Sequence, residues 1–271
     1  MKFGIVYPNS GEHVERDRVV KTAVAAEENG FDFMLTWDHY MLPGSSTTFD
    51  AWALIPYLAA STSRLRLGTC VSPIPFRPPQ QFAKVIATID QLSDGRVIVG
   101  VGAGWHRPEF DGFSEWADDR TRVSKVEEGV ELMTRLWTED RVDYKGKYYR
   151  ATGAMLEPKT VQRPYPDLWF GSTGRKMLRI AARLGTGWIP TLISAEEYAA
   201  LVPVIRSMVG ARKFSYCYDL YNPLHKAEEY SSLIENLRAA GCEFFAVNWK
   251  YTREEWFDRL EWFSKEVIRS F

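Results

Sequence analysis

An aspartate beside a histidine, Asp38-His39, closes a short apolar run and is flanked by Trp37 and Tyr40. Histidine exchanges a proton near neutral pH, and an adjacent carboxylate can orient the ring or hold its charged form. The pair therefore points to proton transfer at His39 with Asp38 as its partner; the plainer alternative is a hydrogen bond that closes the loop. A second histidine, His106, follows Gly102-Ala103-Gly104-Trp105 and either touches the same ligand or packs on the Trp105 ring. Gly171-Ser172-Thr173-Gly174 opens directly into the helical pattern of Met177, Ile180, Ala181 and Leu184, with Arg175 and Lys176 beside it. Amides at a helix start, two hydroxyls and two cations suit a phosphate, while a glycine turn with a capping hydroxyl would leave the same trace. No metal is expected, because no helix carries two ligands at metal spacing, even if Asp38, His39, His106 and Asp219 were to converge. Lys250 is the one lysine at a strand exit, so Schiff-base chemistry has a single candidate.

These residues stand at the ends of apolar runs that alternate with helical patterns. The runs predict strands over 3–7, 33–36, 65–70, 97–101, 168–171, 187–189, 214–218 and 244–247. Helical faces are read from Phe82, Val85, Ile86, Ile89 and Leu92, from Val123, Val126, Val130, Met133 and Trp137, and from Trp256, Leu260, Phe263 and Val267. Asp50, Ser194 with Glu197, and Thr252 with Glu255 mark helix starts, and Gly30 and Gly241 mark stops. Eight strand-helix units in one chain of 271 residues predict a single α/β domain over 1–271, a closed (β/α)8 TIM barrel. Such barrels work at the C-terminal strand ends, which places Trp37, Trp105 and Trp249 near the mouth. Two insertions depart from the minimal barrel: 102–119 after the fourth strand, and 140–167 before the fifth, which holds a hairpin-like stretch over 142–149. The glycines at 100, 102 and 104 would strip side chains from the fourth strand's exit and let a flat or phosphorylated ligand reach the backbone. They are no dinucleotide fingerprint, because the next helical pattern starts only near Arg120.

Composition narrows the function classes. Lysine and arginine total 34 against 35 aspartate and glutamate, without a long basic run, so nucleic acid is excluded as a partner. Three cysteines, an odd number without metal spacing, fit a reducing compartment, and the expected location is cytoplasmic. The chain starts on a strand pattern without a signal-peptide run, and no apolar run is long enough to span a bilayer.

With these residues in hand, the chain resembles the luciferase-like superfamily of flavin and deazaflavin oxidoreductases, in its coenzyme F-420 branch, from about Met1 to Ile189. The resemblance is carried by Trp37-x-x-Tyr40 around Asp38-His39, by Gly95-Arg96-Val97 through Trp105 with Glu109 after it, and by Arg120-x-Arg122-x-x-Lys125-x-x-Glu128. Leu136-Trp137-x-x-Asp140-x-Val142, Gly146-x-Tyr148-Tyr149 and Leu184-Gly185-x-Gly187-Trp188-Ile189 complete it. It implies a luciferase-like barrel with the coenzyme ring at its mouth and a non-prolyl cis peptide after the third strand, at Cys70-Val71. It also implies that Asp38 and His39 lie at the reactive ring edge, and that Ala103, Gly104, Trp105 and His106 join Gly171, Ser172, Thr173 and Gly174 around the coenzyme. Trp105 stands where certain sugar-phosphate dehydrogenases of the group have an acidic residue, so their substrate and proton relay do not transfer. The expected activity is hydride transfer between F-420 and a small organic substrate, by a homodimer. The alternatives are an FMN-dependent two-component monooxygenase and a non-catalytic cofactor-binding barrel.

Overall fold

Runs such as Val97-Ile98-Val99 are buried on both faces, as strands of a helix-covered parallel sheet must be. The computed structural model describes residues 1–271, with eleven strands. They are β1 (Lys2–Tyr7), β2 (Phe33–Thr36), β3 (Arg66–Thr69), β4 (Ser72–Pro73), β5 (Val97–Gly102), β6 (Val142–Lys145), β7 (Arg150–Ala154), β8 (Asp167–Phe170), β9 (Gly187–Trp188), β10 (Ser215–Leu220) and β11 (Phe244–Val247). Eight of them run parallel in the order β3, β2, β1, β11, β10, β9, β8, β5, and pairing of Leu67 with Val97 and Gly68 with Ile98 joins β3 to β5. The ring is closed: the molecule is a (β/α)8 barrel of the expected class.

Nine α-helices intervene: α1 (Arg16–Glu28), α2 (Ala51–Ala59), α3 (Pro79–Leu92), α4 (Arg107–Phe113), α5 (Asp119–Thr138), α6 (Arg175–Leu184), α7 (Ala195–Val209), α8 (Ala227–Ala239) and α9 (Trp256–Glu266). Asp50 caps α2 by accepting from the Ala53 amide, and Ser194 with Glu197 closes a full capping box on α7. Thr252 and Glu255 bond to each other in the turn before α9, whose first residue is Trp256. Gly30 and Gly241 take positive φ angles of 85° and 101° just beyond α1 and α8. On α3 the buried residues include Phe82, Ala83, Ile86, Ala87 and Ile89, whereas Val85 and Leu92 face outward. The small alanines complete that face, which a reading of large residues alone rotates. The first insertion holds a helix that the sequence did not reveal: α4 starts at Arg107, ahead of the helical pattern expected near Arg120, and buries Glu109 and Phe110. The second contains the antiparallel β6–β7 hairpin.

Most of the core lies between the ring and its helices, and a smaller cluster fills the barrel itself: Val6, Leu35, Ile98, Trp169, Cys217 and Ala246 among others. Strand alternation then fixes what lies one layer higher. Two residues beyond Cys217 is Asp219, and two beyond Ala246 is Asn248, so both side chains rise toward the C-terminal mouth.

Candidate active site

At that mouth lies a cavity of about 410 Å³ lined by, among others, Trp37, His39, Cys70, Trp105, Tyr221 and Asn248. Each comes from the segment just after a different barrel strand, except that Trp37 and His39 both follow β2. The walls are aromatic, and the space suits a small heterocycle.

His39 is held from behind. Its Nδ1 lies 2.9 Å from Oε2 of Glu109, whose side chain is only 1% exposed. Glu109 Oε1 accepts from the amides of Tyr40 and Met41. A carboxylate already receiving two amides accepts the Nδ1 hydrogen as well, which fixes the tautomer and leaves Nε2 for the cavity. The Trp105 ring stands edge-on to the imidazole, with centroids 5.8 Å apart.

The orienting carboxylate is thus Glu109 of α4, in place of the expected Asp38. Adjacent residues on an extended segment point apart. The Asp38 carboxylate turns away from His39 to form a two-pronged pair with Arg77, both contacts 2.7 Å, and accepts from Trp52 Nε1 at 3.2 Å. Asp38 does not line the cavity; it anchors the loop that carries His39.

The glycines of β5 serve a different purpose from the one expected. A Cβ on Gly100 would fall 1.8 Å from the Thr69 carbonyl, and one on Gly102 would fall 2.7 Å from the Val71 side chain. Gly171 likewise makes room for Val71, at 2.7 Å. The cleared space belongs to the bulge after β3, where the Cys70–Val71 peptide is cis. Gly104, at φ +79°, abuts the Phe110 ring. Burial pushes the Cys70 thiol well up, so it lines the cavity as a neutral group.

The loops after β5 and β8 are neighbours, because Gly171 N donates to the Val101 carbonyl at 3.0 Å. The segments that hold Ala103 and Gly104 and Gly171 to Gly174 thus leave two strands paired side by side. No side chain caps α6; the Ser172 hydroxyl accepts from the Gly174 amide at 3.4 Å, and Thr173 is exposed. The first-turn amides of α6 therefore remain available to an anion. Lys176 reaches across to the Ser124 hydroxyl of α5, at 2.8 Å. His106 precedes α4 and is not part of the cavity lining. Asp38, His39, His106 and Asp219 do not gather into a metal-type cluster. Trp249, placed near the mouth by its position after β11, instead packs outward, with its Nε1 donating to the Tyr230 hydroxyl at 3.2 Å.

Sequence reasoning passed over Tyr221, Asn248 and the loop residues Thr191 and Leu192 as cavity lining. Counting in twos along β11 from Ala246 would have found Asn248, and the same count along β10 from Cys217 puts Asp219, weighed in the sequence only as a metal ligand, beneath it. Burial raises the Asp219 carboxyl to about 7, only partly offset by its hydrogen bond from Asn248.

Comparison with known proteins agrees with the fold. Over 213 residues the chain is 36% identical to an F-420-dependent glucose-6-phosphate dehydrogenase of Segniliparus rotundus, covering 76% of this chain and 62% of that protein. It is 31% identical to an FMNH2-dependent dimethylsulfone monooxygenase of Pseudomonas putida, covering 70% of this chain and 53% of that protein. The chain thus spans somewhat more than half the length of these relatives. The coenzyme F-420-dependent tetrahydromethanopterin reductase of Methanopyrus kandleri shares the fold, with a TM-score of 0.82 at 18% identity over 100% of this chain and 99% of that one. Residues 1–216 match the family model described as luciferase-like monooxygenase, and the chain belongs to that family.

Proposed function

We propose that this chain is an oxidoreductase that passes a hydride between coenzyme F-420 and a carbon of a small organic substrate. The observation that carries the reading is the His39–Glu109 pair, which turns an imidazole nitrogen of fixed tautomer into an aromatic-walled cavity at the strand ends. The residues present fit a flat coenzyme ring on a further ground. Two buried oxygens beneath the cavity, Asp219 Oδ1 and Asn248 Oδ1, have no hydrogen-bond partner.

When bound, the coenzyme supplies hydride exchange at its ring carbon C5. The chain does the rest. His39 Nε2 gives or takes the substrate proton, and Glu109 stabilises the imidazolium form while the proton is held there. Asp38 acts only through Arg77, by fixing the backbone from which His39 projects. Cys70 and Val71 bound one side of the ring site. Trp37 and Trp105 cover it and exclude water. The amides of Ala103 and Gly104, with the segment Gly171, Ser172, Thr173 and Gly174, hold the coenzyme's phosphate at the start of α6, with Trp105 and His106 at the edge of the same groove. A homodimer in the cytoplasm completes the proposal, supported by the family resemblance and by three unbridged thiols.

Relatives named for F-420 and for FMNH2 both match, so an FMN-dependent monooxygenase is the second reading. Titrating the purified chain with each coenzyme separates them. Fluorescence changes that saturate with F-420 support the first; saturation by FMN with no response to F-420 replaces it with the second.

A further inference from the structure

The chain buries four carboxyl side chains: Asp38, Asp90, Glu109 and Asp219. Three are saturated with donors. Asp38 has Arg77 and Trp52, Glu109 has His39 and two amides, and Asp90 accepts from the Val161 amide and from the amide and side chain of Gln162. Asp219 has a single contact, from Asn248 Nδ2 to its Oδ2 at 3.3 Å. Its Oδ1 has no partner, nor does Asn248 Oδ1, although the two residues are 2% and 3% exposed. The groups that act on Asp219 are the Cys70 thiol from the bulge after β3, the Cys217 thiol and Tyr218 hydroxyl of its own strand and the Asn248 amide, with no cation among them. Unpaired buried oxygens are destabilising, so a pair of them under a cavity calls for a ligand.

Burial raises this acid to about 7, so it holds its proton below neutral pH. Because Oδ2 accepts from Asn248, that proton sits on Oδ1. The floor then carries one spare donor, Asp219 Oδ1–H, beside one spare acceptor, Asn248 Oδ1. Asn248 lines the cavity, and Asp219 stands directly behind it, bonded to its amide.

We propose that Asp219 and Asn248 form a recognition floor for a flat ring whose edge carries an imide N–H beside a carbonyl: Asn248 accepts from the N–H, and Asp219 donates to the carbonyl. The aromatic walls formed by Trp37, Trp105 and Tyr221 favour a planar occupant, and the floor selects its polar edge. This deepens the function proposed above and rests on it where the ring is the coenzyme's. The same edge also occurs in small imide substrates.

The test compares affinities for lumiflavin and 3-methyllumiflavin, in which a methyl replaces the imide hydrogen, and for uracil and 3-methyluracil. Wild type should prefer the unmethylated member by about tenfold or more, because a site built to hydrogen-bond rejects an analogue that cannot. A preference in the flavin pair assigns the floor to the coenzyme ring; a preference in the uracil pair alone assigns it to the substrate. Asn248→Leu and Asp219→Leu should bring the ratio close to one, while Asp219→Asn, which keeps a donor and an acceptor, should preserve most of it. The ratio is read within each protein, so a general loss of affinity does not move it. Equal affinities in both pairs for the wild type, or a ratio untouched by Asn248→Leu, overturn the inference. Failure of both F-420 and FMN to bind the wild type overturns the proposed function instead.

Discussion

Replacing Glu109 by glutamine tests the proton machinery at one atom. The glutamine carbonyl can still accept from the Tyr40 and Met41 amides, which both use Oε1, but the group facing His39 becomes an NH2. Two N–H groups cannot share the 2.9 Å between Nδ1 and the old Oε2, so the imidazole must move its hydrogen to Nε2 and accept at Nδ1. A charge-assisted bond of about 1.5–3 kcal/mol is exchanged for a neutral one of about 0.5–1.5, a net cost of about 1–2 kcal/mol. For a domain of this size that lowers Tm by roughly 3–6 °C, a protein still folded at room temperature. Function should suffer far more. With the wrong nitrogen protonated, the acid–base contribution of about 10²–10⁴ in kcat is lost. Long-range proton–nitrogen correlation spectra of the imidazoles, at a pH where the rings are neutral, read the tautomer directly. There are only four histidines, and His39→Gln assigns the signal. A Glu109→Gln protein whose His39 keeps its hydrogen on Nδ1, or whose turnover equals wild type, refutes the reasoning.

Three further outcomes are expected. Arg77→Met strands the buried Asp38 carboxylate and should cost about 3 kcal/mol, the low end for a broken buried pair because Arg77 itself is 17% exposed; a melting curve checks the fall of roughly 6–12 °C. Gly100→Ala, whose Cβ would meet the Thr69 carbonyl at 1.8 Å, should lose at least about 2 kcal/mol, whereas Gly112→Ala, with open space around it, should gain about 0.5–1 kcal/mol in urea unfolding. Asp219 is raised from 3.8 to about 7 in the folded chain, so its contribution to stability is complete below pH 4 and is lost as pH climbs through 7. Asp219→Asn lacks that loss; its advantage over wild type should grow to about 4 kcal/mol between pH 4 and 8 and then level off, and a constant difference would contradict it.

The barrel was legible because its signal is repeated: eight buried runs alternating with helices leave few other topologies, and the runs lie within a residue or two of the strands. The site was less so, for reasons that differ by residue. His39 announces itself by type and position. Its true partner lies 70 positions away on a seven-residue helix too short to show a period, so the adjacent Asp38 looked the better choice. The glycines at 100 and 102 were visible, but what fills the space they vacate, a side chain from the bulge after the preceding barrel strand, is a tertiary fact. Asn248 was within reach of the period-two rule, had it been carried past the end of β11, and Asp219 was weighed only as a metal ligand.

Val71 reaches into notches left by glycines of two separate strand ends, Gly102 on β5 and Gly171 beyond β8. Those positions behave as one interlocking joint and cannot drift independently. A bulkier residue at 71 has nowhere to go, and an alanine there leaves voids beside both glycines. Family members that depart from valine at this point should therefore show matched changes at the facing glycines, so that any reshaping of this wall of the cavity takes place in concerted steps.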